Sequence, residues 1–172
     1  MNTTLFLKEL QSLETKIDLD MKKFTTFKIG GKADIAVFPK SKEELERTVV
    51  TALDCKLPYY VVGKGSNLLV DDKGYRGVII FTSSLSAVEY FDNEVYAEAG
   101  VSLTALAREV GKRGLSGMER LCGIPGSIGG AVYMNAGAYG SEIKDITLYS
   151  DYYSSSLGFG RLNGEEQGFD YR

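Results

Sequence analysis

The stretch Gly123 to Gly140, GIPGSIGGAVYMNAGAYG, draws half of its eighteen residues from glycine and alanine. Glycines at 123, 126, 129, 130, 137 and 140 carry a conformational entropy cost on folding. A close approach to the backbone, or a turn that no side chain permits, has to offset it. Pro125 fixes one turn, and Ser127 is placed to cap a short helix running through Ile128 to Asn135, whose N-terminus would favour an anion. Close packing of a glycine-rich helix against a sheet accounts for the same composition.

A second such stretch, VVGKGSNLLVDDKG (Val61 to Gly74), follows a predicted strand. A Walker loop needs glycine five residues before Gly63-Lys64, where this chain has Pro58. A dinucleotide fingerprint needs glycine at position 68, which is Leu68, with a helix after it. Both readings fail. What remains is a strand-ending loop in which consecutive amides of Gly63, Lys64 and Gly65 form an anion-binding nest, with Ser66 and Asn67 as short side-chain donors. The same spacing also suits a tight turn between strands.

Around these loops the hydrophobic pattern predicts an α/β scaffold. Ala33 to Pro39 alternates as a strand, Ser41 and Glu44 stand at capping-box spacing, and Leu45, Val49, Ala52 and Leu53 share one helical face. Pro58 to Gly63 closes a β-α-β unit, and Gly77 to Phe81 is a third strand. The texture then changes, which places a boundary near Thr82. Asp92-Asn93 separates two alternating runs, Ala87 to Phe91 and Val95 to Ala99, as in a hairpin. Ser102 opens a helix carrying Leu103, Leu106, Ala107 and Val110, which Gly114 can stop. Phe6, Leu10 and Leu13 predict a small amphipathic helix within residues 1–20.

Composition removes several functions. The chain has no histidine, so the Ser-His-Asp and Cys-His mechanisms lack their base. Cys55 and Cys122 stand far apart without CxxC spacing, read as buried small hydrophobes, and predict no metal site. A net charge of −3 with dispersed basic residues argues against nucleic acid as a partner. The apolar start TLFLKEL is broken by Lys8 and Glu9, so no secretion signal or membrane span is expected and the chain reads as cytoplasmic. No obligate protein partner is evident.

Four segments carry a resemblance: TTFKIGGKAD (Thr25 to Asp34), VVGKGSNLLVDD (Val61 to Asp72), GLSGMERLCGIPGSIGGAVYMNAGAYGSEI (Gly114 to Ile143) and EEQGFDYR (Glu165 to Arg172). Together they resemble the UDP-N-acetylenolpyruvoylglucosamine reductase (MurB) family. The resemblance implies an α+β fold, the FAD-binding fold of the vanillyl-alcohol-oxidase/PCMH type, with two α+β subdomains and the cofactor between them. Residues 1–20 would then be an N-terminal helix, 21–82 the first subdomain with its βαβ unit, and 83–172 the second, incomplete at its end. The family's third, substrate-binding domain would be absent.

The resemblance further implies noncovalent FAD on Gly63, Lys64, Gly65, Ser66 and Asn67. It extends that site to Gly123, Ile124, Pro125, Gly126, Ser127, Gly130, Ala131, Asn135, Ala136 and Gly137. NADPH would be the hydride donor. The substrate would be a UDP-sugar, UDP-N-acetylenolpyruvoylglucosamine, reduced to the peptidoglycan precursor UDP-N-acetylmuramate. Arg172, in the Tyr171-Arg172 pair, matches the arginine that stabilises developing charge in the family. The family's proton-donating serine and catalytic glutamate belong to the third domain, so this chain alone is expected to be inactive. The alternative is an FAD-binding module without turnover of its own. Two local expectations follow. Gly65→Val should weaken FAD binding more than the apoprotein fold, and the polar cluster Tyr152 to Ser156 stands where the family has a strand and short turn.

Overall fold

The computed structural model describes residues 2–170. By its internal contacts the chain divides into two compact units, Met1–Leu85 and Ser86–Arg172.

The first unit opens with helix α1 (Asn2–Glu9), which buries Phe6. Its C-terminal carbonyl at Glu9 accepts a hydrogen bond from the Arg47 guanidinium, a cation where the helix end is negative. Residues 1–20 are not helical throughout: Thr15–Asp20 forms strand β1, antiparallel to β2 (Lys32–Val37). Lys16, Asp18 and Asp20 hide the strand from a hydrophobicity pattern, but charges of this kind suit the edge of a sheet. After β2, helix α2 (Lys42–Asp54) begins where Ser41 Oγ accepts the Glu44 amide at 3.3 Å, and it buries Thr48, Val49 and Ala52. Strands β3 (Tyr59–Val62) and β4 (Tyr75–Phe81) complete a sheet of order β1-β2-β4-β3. β4 lies between the two strands of the β-α-β unit, parallel to both.

The apolar core of this unit gathers Met21, Ala33, Ala36, Phe38, Val62, Ile79 and Phe81, with Phe24 packed on it. Phe38 and Phe81 stack at 4.9 Å, and Phe24 meets Phe81 at 5.1 Å in a tilted pair. Each such pair adds about 0.5–1.5 kcal/mol beyond area burial. The consequence for function is positional: the Phe24 backbone is held fast beside the loop that follows β3.

The second unit starts with the hairpin β5 (Val88–Phe91) and β6 (Glu94–Ala97). Helix α3 (Leu103–Lys112) is capped by Ser102 and buries Leu103, Leu106, Ala107 and Val110. It ends at Gly114, which has φ +78°, with the Leu115 amide reaching back to the Val110 carbonyl at 3.0 Å. A short helix α4 (Ile128–Tyr133), two-residue strands β7 (Gly137–Ala138) and β8 (Ser141–Glu142), and the hairpin β9 (Tyr149–Ser154) with β10 (Gly158–Asn163) follow. The polar cluster at 152–156 is therefore strand and turn. Across the hairpin, Tyr153 and Phe159 pack at 5.0 Å, and Arg161 forms a fork with Asp151 at 2.7 and 3.1 Å while lying over the Tyr149 ring. Among the described residues no helix is long and apolar enough to cross a membrane.

Candidate functional site: two glycine loops sorted by their backbone donors

The first loop leaves β3 at Gly63. Its geometry is set from outside, because the segment after Met21 runs past it: the Thr26 amide donates to the Gly65 carbonyl at 3.1 Å. Gly65 has φ +65°, and a Cβ there would fall on the Phe24 carbonyl oxygen, well inside the 3.0 Å that real Cβ contacts respect. The missing side chain at Gly65 thus serves the protein's own backbone. This corrects the expectation that Gly65→Val acts mainly on the cofactor: the space is occupied by the backbone of Phe24, whose ring packs on the core cluster.

That crossing uses none of the loop's own donors. Among the described residues no acceptor within the chain takes the amides of Gly63, Lys64, Gly65, Ser66 or Asn67. Gly65 is itself a buried residue, and a bound anion would give its amide a partner. Beside the loop lies a cavity of about 310 Å³. Lys23 and Lys64 supply positive charge to its lining, Thr25, Thr26 and Ser83 supply hydroxyls, and Phe24 and Phe81 supply the apolar part. Lys23 and Ser83 lie outside the segments that carry the family resemblance, and Thr25 and Thr26 lie in one of them without being predicted as cofactor residues. The TTF at 25–27 was the signal for the two threonines, and it shows no anion-binding spacing of its own.

The second loop behaves differently. Its glycines divide by what surrounds them. At Gly129 a Cβ would meet Ala99 at 2.7 Å, and at Gly137 it would meet Glu142 at 2.8 Å, so these two serve internal packing. At Gly123 and Gly126 a Cβ would meet nothing within 4 Å. The amides divide in the same way. Ile128, Gly129 and Gly130, the first three of α4, donate to the Val101 carbonyl, the Ala99 carbonyl and Ser127 Oγ. The expected anion site at that helix N-terminus is therefore corrected: its donors are consumed by the fold. The amides of Ala131 and Ala136 are likewise spent, on the carbonyls of Ser127 and Ala131, and both residues are buried. Ile124 donates to Leu121, and Pro125 has no amide. Gly123, Gly126 and Ser127 remain, with no internal acceptor for their amides among the described residues.

Asn135 is 7% exposed with φ +41°, and its whole amide group is engaged. Nδ2 donates to Glu142 Oε2 at 2.6 Å and to the Asp170 carbonyl at 3.0 Å, while Oδ1 accepts from the Lys144 amide at 3.2 Å. Its side chain holds the loop rather than a ligand. Lys144 Nζ approaches Glu142 Oε2 at 2.8 Å. The Lys144 contact, then that of Asn135, keeps the Glu142 carboxyl below its ordinary pKa, and Glu142 in turn raises that of Lys144. Arg172 and Tyr171 lie outside the described residues. Cys122 is exposed beside Gly123, which corrects its reading as a buried hydrophobe, whereas Cys55 is buried and burial pushes its thiol pKa up.

Unspent amides on the first loop, beside a cavity with cationic and hydroxyl lining, fit a pyrophosphate held through backbone donors. The class so defined is a flavoprotein with an α+β FAD-binding fold of the vanillyl-alcohol-oxidase/PCMH type. Residues 33–153 match the FAD binding domain family, and the chain belongs to it. A UDP-N-acetylenolpyruvoylglucosamine reductase of Caldicellulosiruptor bescii is 44% identical over all 172 residues, which cover 54% of that relative. A crystal structure of UDP-N-acetylenolpyruvylglucosamine reductase (MurB) from Thermus caldophilus superposes with a TM-score of 0.76 at 35% identity, over 93% of this chain and 55% of that one. An alkyldihydroxyacetonephosphate synthase shares the fold at a TM-score of 0.72 and 19% identity, over 92% of this chain and 35% of that chain. The chain spans about half the length of the curated relatives it matches.

Proposed function

We propose that this chain carries the FAD-binding portion of a UDP-N-acetylenolpyruvoylglucosamine reductase, working in the cytoplasm with NADPH as hydride donor and UDP-N-acetylenolpyruvoylglucosamine as substrate. The observation that carries the reading is the run of unspent amides from Gly63 to Asn67 in a chain 44% identical throughout to a protein of that name. When bound, FAD supplies the redox chemistry, accepting and donating hydride in a chain whose side chains offer no hydride carrier.

The protein's own contribution is binding and electrostatics. Gly63, Lys64, Gly65, Ser66 and Asn67 hold the pyrophosphate through N–H donors, and Lys23 and Lys64 offset its charge in a partly enclosed space. Gly123, Gly126 and Ser127 add backbone donors on the second loop, where Ile124, Pro125, Gly130, Ala131, Asn135, Ala136 and Gly137 shape the backbone. Arg172 is proposed to stabilise the negative charge that develops on the substrate, by the match of its Tyr-Arg pair to the family.

Two measurements test the reading in order. The 172-residue polypeptide should bind FAD at least about tenfold more tightly than FMN, which lacks a pyrophosphate, a difference of about 1.4 kcal/mol. Equal affinity would overturn the cradle. Joined to the remaining half of the Caldicellulosiruptor bescii relative, it should oxidise NADPH anaerobically beyond one equivalent per FAD only when the enolpyruvyl UDP-sugar is present. A fusion that binds FAD but shows no substrate-dependent oxidation would overturn the reductase assignment alone.

A further inference from the structure

Among the predicted cofactor residues, Asn135 has both polar side-chain atoms engaged within the chain, and one of its bonds leads out of the loop. Its Nδ2 reaches the Asp170 carbonyl, thirty-five residues away in sequence. Asp170 immediately precedes the Tyr171-Arg172 pair. A second anchor supports the same docking: Phe169 packs on the apolar cluster of Leu103, Leu121, Ala131, Ala136 and Ile143 that underlies the loop. The Asp170 charge also lies near enough to Lys144 to contribute to its raised pKa, after the larger effect of Glu142.

We propose that Asn135 is a positioning residue whose side chain fixes the backbone at Asp170, the residue that precedes the Tyr171-Arg172 pair in sequence. The importance of that pair rests on the proposed reductase reading, whereas the tether itself does not. The strained backbone at Asn135 fits this role. Asparagine is among the few non-glycine residues that tolerate φ +41°, and no other residue of its size offers two donors and an acceptor on one planar group. Glu142 and the Lys144 amide hold that group in orientation, so that its second N–H is aimed at Asp170.

Hydrogen exchange separates a tether from mere support of the loop. Asn135→Asp keeps the acceptor for the Lys144 amide and loses both donors. Adding Glu142→Gln returns a donor between positions 135 and 142 without restoring the one to Asp170. Protection of the 131–142 peptide should fall in the single variant and recover to within about twofold of wild type in the double variant, while the peptide beginning at Gly164 stays at least about tenfold less protected in both. Recovery of the terminal peptide together with the loop would overturn the tether, as would an unchanged terminal peptide in Asn135→Asp. Asn135→Gly, which relieves the backbone strain, guards against a folding defect. It should lose terminal protection while α3 keeps its own, and an unchanged terminal peptide there overturns the proposal. FAD titration of the wild-type polypeptide is scored separately, since its failure counts against the proposed function and leaves the tether standing.

Discussion

Replacing Gly65 by alanine should damage the fold before it damages the cofactor site. At φ +65° an L-residue incurs about 1–2 kcal/mol from Cβ against its own backbone. The added Cβ must also displace the Phe24 carbonyl, which is main chain and is held by the Phe24 ring packed against the stacked Phe38 and Phe81. Moving it strains the Thr26 amide to Gly65 carbonyl bond, worth about 0.5–1.5 kcal/mol net. Gly65→Ala should therefore cost about 2–3 kcal/mol, a large share of the roughly 5–15 kcal/mol that stabilises a typical domain. Gly123→Ala is the matched control. It has open space and no positive φ, so it should stay within about 0.5 kcal/mol of wild type while weakening FAD about tenfold. The assay is urea unfolding of both apoproteins beside FAD titration of both. With a urea slope of about 2 kcal/mol per molar, Gly65→Ala should lower the midpoint by roughly 1 M or more. A Gly65→Ala apoprotein as stable as wild type would refute the argument from the Phe24 crossing.

Other residues make sharp expectations too. Cys122 should react with a thiol reagent in the native protein, and Cys55 only after unfolding, because Cys55 is 4% exposed with a thiol pKa raised by burial; equal rates would contradict the burial assignment. The Glu142 carboxyl is held below its ordinary value of 4.5, so its contribution is fully present above that value and is lost as pH falls through the depressed one. Wild type should melt above Glu142→Gln by a constant margin near neutral pH, and the margin should close on acidification below about 4.5; a margin that widens in acid reverses the sign and the argument. Ser127→Ala removes a cap that is 2% exposed and should cost about 1 kcal/mol in urea unfolding. FAD bound by the polypeptide should be released free on acid denaturation, and flavin that stays with the precipitated chain would show a covalent link.

The elements that the sequence made legible are those whose signals are local. Ser41 and Ser102 announced their helices because a cap acts within three residues, and Asp92-Asn93 announced its hairpin for the same reason. β1 was missed because its stability comes from pairing with β2, not from burying a face; Ile17, in its middle, remains exposed. Sheet order was equally invisible. The β-α-β pattern says that β2 and β3 are parallel, but only the burial of both faces of β4 puts that strand between them.

For the site, glycine content revealed that something approaches the backbone without revealing what. Gly65 is shaped by Phe24, forty-one residues earlier, and Gly129 by Ala99, thirty residues earlier, and no local rule reports a neighbour at that distance. The helix N-terminus after Ser127 looked like an anion site from its spacing, yet Ala99 and Val101 had already taken its amides. Asn135, placed at the cofactor by the family resemblance, spends its side-chain amide on Glu142, Lys144 and Asp170. What distinguishes a binding loop from a packing loop is thus the set of donors left over once the fold has used its share. By that measure the amides of Gly63 to Asn67 on the first loop are available, and the second is a structural knot most of whose amides are committed, those of Gly123, Gly126 and Ser127 being left over among the described residues.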